Sequence, residues 1–274
     1  MTKTTVLHCS DLHFGKGFQP QIAEKLLASI ERIQPQAVVV SGDLTMRARA
    51  YQFAAARRFF QKIRVPLLLI PGNHDVPLYN LFVRISAPFG NYTRYTEGLS
   101  TNPIVLDRVG IFGINSVNPK RHQKGHFTRD HLHAVTRWLA DLPEQSWRVV
   151  VTHQHFVAIP GFYRPGSIHD AEKVLNELEG GGVHAILCGH MHFKYVGSTR
   201  DFFPNVSRPI ALVHAGTATS GRLRASEQLR HSNNFMLLDF YDNQFDVTPH
   251  DWTPESDDFH PLEKTTFTRE FFQI

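Results

Sequence analysis

Five short polar motifs, each closing an apolar run of β-type residues, constrain this chain more than any other feature of its sequence. They are Asp11-Leu12-His13 after 4–8, Gly42-Asp43 after 37–40, Gly72-Asn73-His74-Asp75 after 65–70, His153 after 149–152, and Gly189-His190-Met191-His192 after 185–187. A run such as Ala37-Val38-Val39-Val40 is apolar at every position, the pattern of a strand covered on both faces. Helical periodicity separates the runs. Ile22, Leu26, Leu27, Ile30 and Ile33 share one face, a second helix falls around 51–62, and a fourth is expected over 171–178. The third is capped by Thr128 and carries Leu132, Val135, Trp138, Leu139 and Leu142 on one stripe. Strands alternating with helices call for crossover connections, and open α/β sheets gather their ligands at the C-terminal ends of their strands. All five motifs sit at such ends.

Elsewhere the pattern is looser. A turn near 108–110 pairs 104–106 with 111–114, the aromatic stretch 77–95 reads as irregular, and helical periodicity stops after about residue 190. Segments 210–213, 235–240 and 245–247 read as strands of a closing antiparallel section. The expectation is a layered α/β sandwich, one domain over 1–250, with the polar segment 251–274 packed as a tail on its surface.

Composition narrows the class. With 42% hydrophobic residues the 274-residue chain has enough apolar surface for a sizeable core. A net charge of +4 suits a small anionic substrate and is too weak and dispersed for nucleic acid, so none is expected. Two cysteines exclude a disulfide scaffold; Cys9 and Cys188 each lie two positions before a motif residue and read as small hydrophobes beneath the site. No stretch has the length of a membrane span and the start does not resemble a signal peptide, so a cytoplasmic location is expected, with peripheral membrane contact left open.

The motifs supply carboxylates, one carboxamide and imidazoles, but no thiolate. That oxygen and nitrogen mixture suits Mn, Fe, Co, Ni or Zn and not a cysteine-type structural zinc site. Two divalent ions about 3.5–4 Å apart need a bridging carboxylate and neutral ligands that keep the charge tolerable. Histidines at i and i+2, such as His190 and His192, cannot share a helix face, but on a loop they can reach adjacent ions. The glycines before Asp43, Asn73 and His190 suit tight turns.

In this order the motifs resemble the calcineurin-like metallophosphoesterase family over roughly residues 5 to 193. Asp11-Leu12-His13, Gly42-Asp43-Leu44-Thr45, Gly72-Asn73-His74-Asp75 and Gly189-His190-Met191-His192 look most like bacterial class III cyclic-nucleotide phosphodiesterases. The resemblance implies an α/β/β/α sandwich of two mixed sheets flanked by helices. It implies one metal among Asp11, His13, Asp43 and His192, and a second among Asn73, His153, His190 and the bridging Asp43. His74 would protonate the leaving group or stabilise the transition state, and Asp75 would hold His74 from behind. Relatives often read His-His-Pro where this chain has His153-Gln154-His155-Phe156. The end of the strand favours His153, with His155 as the alternative.

The expected activity is hydrolysis of a small-molecule phosphodiester by a hydroxide between two transition-metal ions, Mn, Fe or Zn above others. A pyrophosphatase or diesterase acting on a lipid-linked or nucleotide-sugar substrate, and an inactive binding scaffold on the same fold, are the competing readings. Thr217 and Arg222 are candidate phosphate contacts. Phe156, Val157, Ile159, Phe162 and Tyr163 are candidates for an apolar rim, with Arg164 and Lys194 as the obvious cations beside it.

Overall fold

The computed structural model describes residues 2–121, 123–158, 168–203, 206–221 and 232–273. The chain begins with β1 (Thr4–Cys9), α1 (Pro20–Ile33), β2 (Ala37–Val40), α2 (Ala50–Phe60) and β3 (Leu67–Leu69). After the short helices α3 (Leu81–Ser86) and α4 (Gly90–Thr96), it crosses to a second sheet. That sheet holds β4 (Ile104–Val105), β5 (Val109–Gly113), β6 (Trp147–Val151), β7 (Ala185–Cys188), β8 (Tyr195–Ser198) and β9 (Ala211–His214). Helix α5 (Arg129–Ala140) precedes β6, and α6 (Ala171–Gly180) precedes β7. The chain then returns to the first sheet through β10 (Asn234–Phe240), β11 (Gln244–Thr253), β12 (Asp258–Pro261) and β13 (Thr265–Thr268).

The strand order is β12-β11-β10-β1-β2-β3 in the first sheet, with β13 also on β11, and β4-β5-β6-β7-β9-β8 in the second. In the second sheet the parallel pairings lie at the centre and the antiparallel ones at the two margins, whereas in the first β1, β2 and β3 run parallel at one end and β10 to β13 are antiparallel at the other. Successive side chains on a strand leave on opposite faces. In β1, Val6 joins a core shared with Val149, Leu187 and Val213 of the facing sheet, while Leu7 meets Leu26 of α1 and Phe53 of α2. On the far side, Val150 and Ile186 pack against Val135 of α5 and Leu175 of α6. Each central strand is covered on both faces, which accounts for the uninterrupted apolar runs. The layers are α/β/β/α, as the resemblance implies.

Register places the motifs. Cys9 pairs with Val40 and Val40 with Leu69, so β1, β2 and β3 finish level, two to four residues before Asp11, Asp43 and Asn73. In the second sheet Val151 pairs with Leu187, setting His153 and His190 at the matching edge. The α5 cap is as read: Thr128 Oγ1 accepts the His131 N–H at 3.2 Å, a contact of about 1 kcal/mol.

Three expectations are corrected. Residues 77–95 contain two helices rather than irregular chain. An unforeseen edge strand, β8, follows the Gly189-His190-Met191-His192 loop. The segment from residue 251 is not a tail laid over the surface: β12 and β13 extend the first sheet, and Phe259, Phe267 and Phe272 are buried in the cores.

Candidate metal centre

The loops leaving the strands are stitched to one another before any side chain is considered. Asp11 N–H donates to Gly42 O and His13 N–H to Asp43 O, each at 3.0 Å. To present side chains from so tight a path, the backbone turns left-handed at Asp11, His13, Asp43, His190 and His192, with φ between 53° and 71°. Non-glycine residues seldom adopt this region. Gly42, at φ 100°, is the position where glycine is needed, since a Cβ would also stand 2.6 Å from His153 Nδ1. Gly72 has an ordinary φ of −108°. Its requirement is space, because a Cβ there would fall 2.2 Å from Asp43 Oδ1.

Two groups of donor atoms result. In the first, His192 Nε2 lies 3.1 Å from Asp11 Oδ1 and 2.9 Å from His13 Nε2, and His13 Nε2 lies 3.6 Å from Asp43 Oδ2. One ligand atom from each of these four residues falls within 4.8 Å of the others, an arrangement able to hold a metal ion. In the second group, Asn73 Oδ1 is 3.2 Å from His153 Nε2 and 2.9 Å from His190 Nδ1, with the two ring nitrogens 3.3 Å apart. Asp43 Oδ1 is 3.4 Å from His153 Nε2. Asp43 therefore turns one oxygen toward each group.

The neighbours fix these orientations. His153 Nδ1–H donates to Ser41 O at 2.8 Å, leaving Nε2 for the cluster. His190 N–H donates to Asp11 Oδ2 at 2.9 Å, so that Oδ1 faces the histidines. Thr217 Oγ1 donates to Asp11 O at 2.7 Å and Thr219 Oγ1 to Leu12 O at 2.9 Å. In this structure Thr217 braces the Asp11 loop from behind, not the place of a phosphate contact.

Asp75 is also placed differently from expectation. Its oxygens accept the N–H groups of Leu44 (3.0 Å), Thr45 (2.8 Å) and Gly72 (2.9 Å) and the Thr45 hydroxyl (2.9 Å). It secures the loop that carries Asp43, whereas His74 is held by its own Nδ1–H donating to Met46 O at 2.9 Å. Burial and the nearby Asp43 push the Asp75 carboxyl up to about 7, with the backbone donors pulling the other way.

Electrostatics suits the cluster to cations. Burial works to raise Asp43, yet His153 and His74 hold it well below the usual carboxylate range. Burial lowers His13 and His190, keeping them in the neutral form that a metal accepts. His153 is drawn the other way: burial lowers it, but Asp43 outweighs this and lifts it to about 9, so a metal there competes with a proton. Asp11 Oδ1 and His13 Nδ1 are buried with no hydrogen-bond partner among the described residues. Four imidazoles, two carboxylates and one carboxamide packed this tightly, with lone pairs converging, fit metal ions better than they satisfy one another.

Other sequence candidates fall outside this centre. His155 is buried with its ring stacked on His190 at 5.5 Å, so His153 and not His155 meets Asp43 and Asn73. Phe156 and Val157 are core residues, with Phe156 5.5 Å from Phe127; neither forms a rim. Ile159, Phe162, Tyr163, Arg164 and Arg222 lie outside the described residues. Lys194 is paired with Asp251. Cys9 and Cys188 are free thiols buried in the fold. One cation escaped the sequence reading: Arg47 Nη1 stands 3.1 Å from His74 Nδ1. The signal was its position two residues past Gly42-Asp43-Leu44-Thr45, where the motif had been taken to end.

The family model for calcineurin-like phosphoesterases matches residues 4–194, a span that holds every motif described above. The chain belongs to this family. It is accordingly a metal-dependent phosphoric ester hydrolase, of a family with dinuclear sites, and the buried Asp/His cluster is its candidate metal centre. Over 204 residues it is 52% identical to the glycerophosphodiester phosphodiesterase of Enterobacter lignolyticus, covering 68% of this chain and 69% of that one. The "probable cyclic nucleotide phosphodiesterase" of Vesicomyosocius okutanii is 27% identical over 198 residues, covering 69% and 78%. A purple acid phosphatase from yellow lupin seeds shares the fold with a TM-score of 0.72 at 13% identity. That match takes in 97% of this chain but only 54% of the lupin protein, about half its length.

Proposed function

We propose that this phosphoesterase hydrolyses small-molecule phosphodiesters, of glycerol or nucleotide type, using two transition-metal ions drawn from Mn, Fe and Zn. The observation that carries the reading is the position of Asp43, with one carboxylate oxygen toward each of two donor groups. Asp11, His13, Asp43 and His192 would hold one ion, and Asn73, His153, His190 and Asp43 the other. Such ions supply Lewis acidity to phosphoryl oxygens and lower the pKa of water.

The chain's own groups do the rest. Asp75 and the backbone donors around it keep Asp43 in place. His74 is fixed at Nδ1 by Met46 O, and in its cationic form it delivers the Nε2 proton to the departing oxygen. Arg47, beside that ring, favours a phosphoryl oxygen near His74. The similarity to two phosphodiesterases supports a diester over a monoester. It does not favour the pyrophosphatase or inactive-scaffold readings. The same reading treats both sheets, β12 and β13 included, as one catalytic unit working in the cytoplasm.

The test is turnover of glycerophosphodiesters, a 2′,3′-cyclic nucleotide, bis-nitrophenyl phosphate and nitrophenyl phosphate by protein reconstituted with each metal. Diesters should be cleaved faster than the monoester, and a clear monoester preference would overturn the assignment.

A further inference from the structure

Among the described residues, seven large apolar side chains are exposed, and four of them fall within residues 79–85. Tyr79, Leu81, Phe82 and Ile85 are 76%, 66%, 79% and 75% exposed, and Tyr51 at the start of α2 is 62% exposed. Leu81, Phe82 and Ile85 stand on one and a half turns of α3, beginning seven residues after His74. Scattered exposed apolar residues need no explanation; four within seven positions do.

The surroundings are basic. From residue 44 to 96 the chain carries eight Lys/Arg and one acid, Asp75, which is buried. Not all eight face this patch, since Arg84 is buried and donates to Pro77 O at 2.9 Å. The loops that carry Lys16, Arg47 and Arg49 are joined to one another and to α4, which carries Arg94 and follows α3 in the chain. Gln52 Oε1 accepts the Arg47 and Arg49 N–H groups at 2.9 and 3.3 Å, and Gly15 is packed against the same side chain. Asn91 Nδ2 donates to Ala48 O at 3.0 Å, bringing α4 and Arg94 to the loop of Arg47.

We propose that this face docks on an anionic phospholipid bilayer, with Tyr79, Leu81, Phe82 and Ile85 entering the headgroup–acyl boundary and Arg49, Arg94 and Lys16 meeting lipid phosphates. Exposed apolar residues on a basic stretch of chain are what an interfacial contact needs, because each kind of group finds its complement in the same surface. A second copy of the chain answers the apolar residues but not the charge. A two-fold contact sets a surface against itself and would bring arginine toward arginine. Tyr79 and Leu81 follow His74 by five and seven residues, so docking would hold the mouth of the metal centre near the bilayer surface. Membrane contact is independent of which ester is cleaved.

The experiment is co-sedimentation of the intact protein with vesicles of phosphatidylcholine alone and of phosphatidylcholine mixed with phosphatidylglycerol. Binding is expected to the mixed vesicles, falling with added salt. The Phe82→Asp/Ile85→Asp double variant should bind at least ~10-fold more weakly while cleaving bis-nitrophenyl phosphate in solution as the parent does. Phe82→Trp keeps the site apolar and should shift its emission to the blue when mixed vesicles are added. The proposal is overturned if the parent stays in the supernatant with mixed vesicles, if the double variant binds as tightly as the parent, or if Phe82→Trp shows no shift. A stable dimer that the double variant dissociates, without vesicle binding by the parent, assigns the patch to self-association and also overturns it.

Discussion

Asp75 Oδ1 takes two hydrogen bonds from Thr45, from the N–H at 2.8 Å and the hydroxyl at 2.9 Å, and thereby ties the turn carrying Asn73 to the loop carrying Asp43. One residue so sets the spacing between a proposed ligand of one ion and the proposed bridge. Asp75→Ala strands the N–H groups of Leu44, Thr45 and Gly72, and should cost at least ~2–3 kcal/mol by urea unfolding. Metal affinity should fall by roughly 10- to 100-fold, the range for losing such a support. A variant with unaltered metal affinity would show that the turn needs no tie.

Metal content separates the ligand groups. Asp43→Ala should abolish binding of both ions, and Asp11→Ala should leave a protein holding one. Elemental analysis after reconstitution and gel filtration reads the difference. Two ions retained by Asp43→Ala would remove the bridge from the mechanism.

His74→Ala should keep its metals, since Met46 O holds the ring at Nδ1 and the backbone N–H that donates to Asp43 Oδ1 at 2.8 Å survives the substitution. Turnover should fall by roughly 10²–10⁴, and least with nitrophenol as leaving group. Equal losses with nitrophenol and with an alkyl alcohol would assign His74 to binding and not to proton delivery.

Acid stability should depend on His184, whose imidazole is lowered to about 3 by burial and by Arg269, Arg148 and Arg208. Its Nδ1 accepts the Arg148 N–H at 3.0 Å, a bond available only to the unprotonated nitrogen. The folded pKa lies below the unfolded one, so the stabilisation is complete above about pH 6.5 and is lost as pH falls toward about 3. Comparing urea midpoints at neutral and mildly acidic pH, His184→Gln should lose less on acidification than the parent. An identical pH slope would contradict the assignment.

Both cysteines should resist modification. Burial raises the Cys9 thiol to about 12, and Cys188 is likewise raised by burial, with Asp11 adding to the effect. A thiol-specific disulfide reagent should titrate none in the native protein and two in denaturant. Rapid native labelling of either would revive a redox role.

The candidate metal centre was legible because its parts are tied to strand ends. The apolar runs before Asp11, Asp43, Asn73, His153 and His190 announce buried parallel strands, and a parallel sheet leaves its loops on one edge. What escaped depends on contacts between distant segments. Asp75 next to His74 in sequence suggested a partner, but the folded turn points its carboxylate at residues 44 and 45. Residues 258–268 look polar because each edge strand buries a single phenylalanine, Phe259 or Phe267, and exposes its other positions. Helices α3 and α4 span six and seven residues, too short for a periodic pattern to declare itself.

Of the nine described non-glycine residues with left-handed backbone, five are proposed ligands: Asp11, His13, Asp43, His190 and His192. Such a conformation costs an L-residue roughly 1–2 kcal/mol that glycine escapes. Random substitution would therefore drift these positions toward glycine or asparagine if folding alone were at stake. Histidine at three of them is a mark of chemistry overruling conformation, and it can be read from the main chain before any ligand is seen. For anyone stabilising the enzyme, these are the positions where a consensus turn residue would raise the melting temperature and silence the protein in one step.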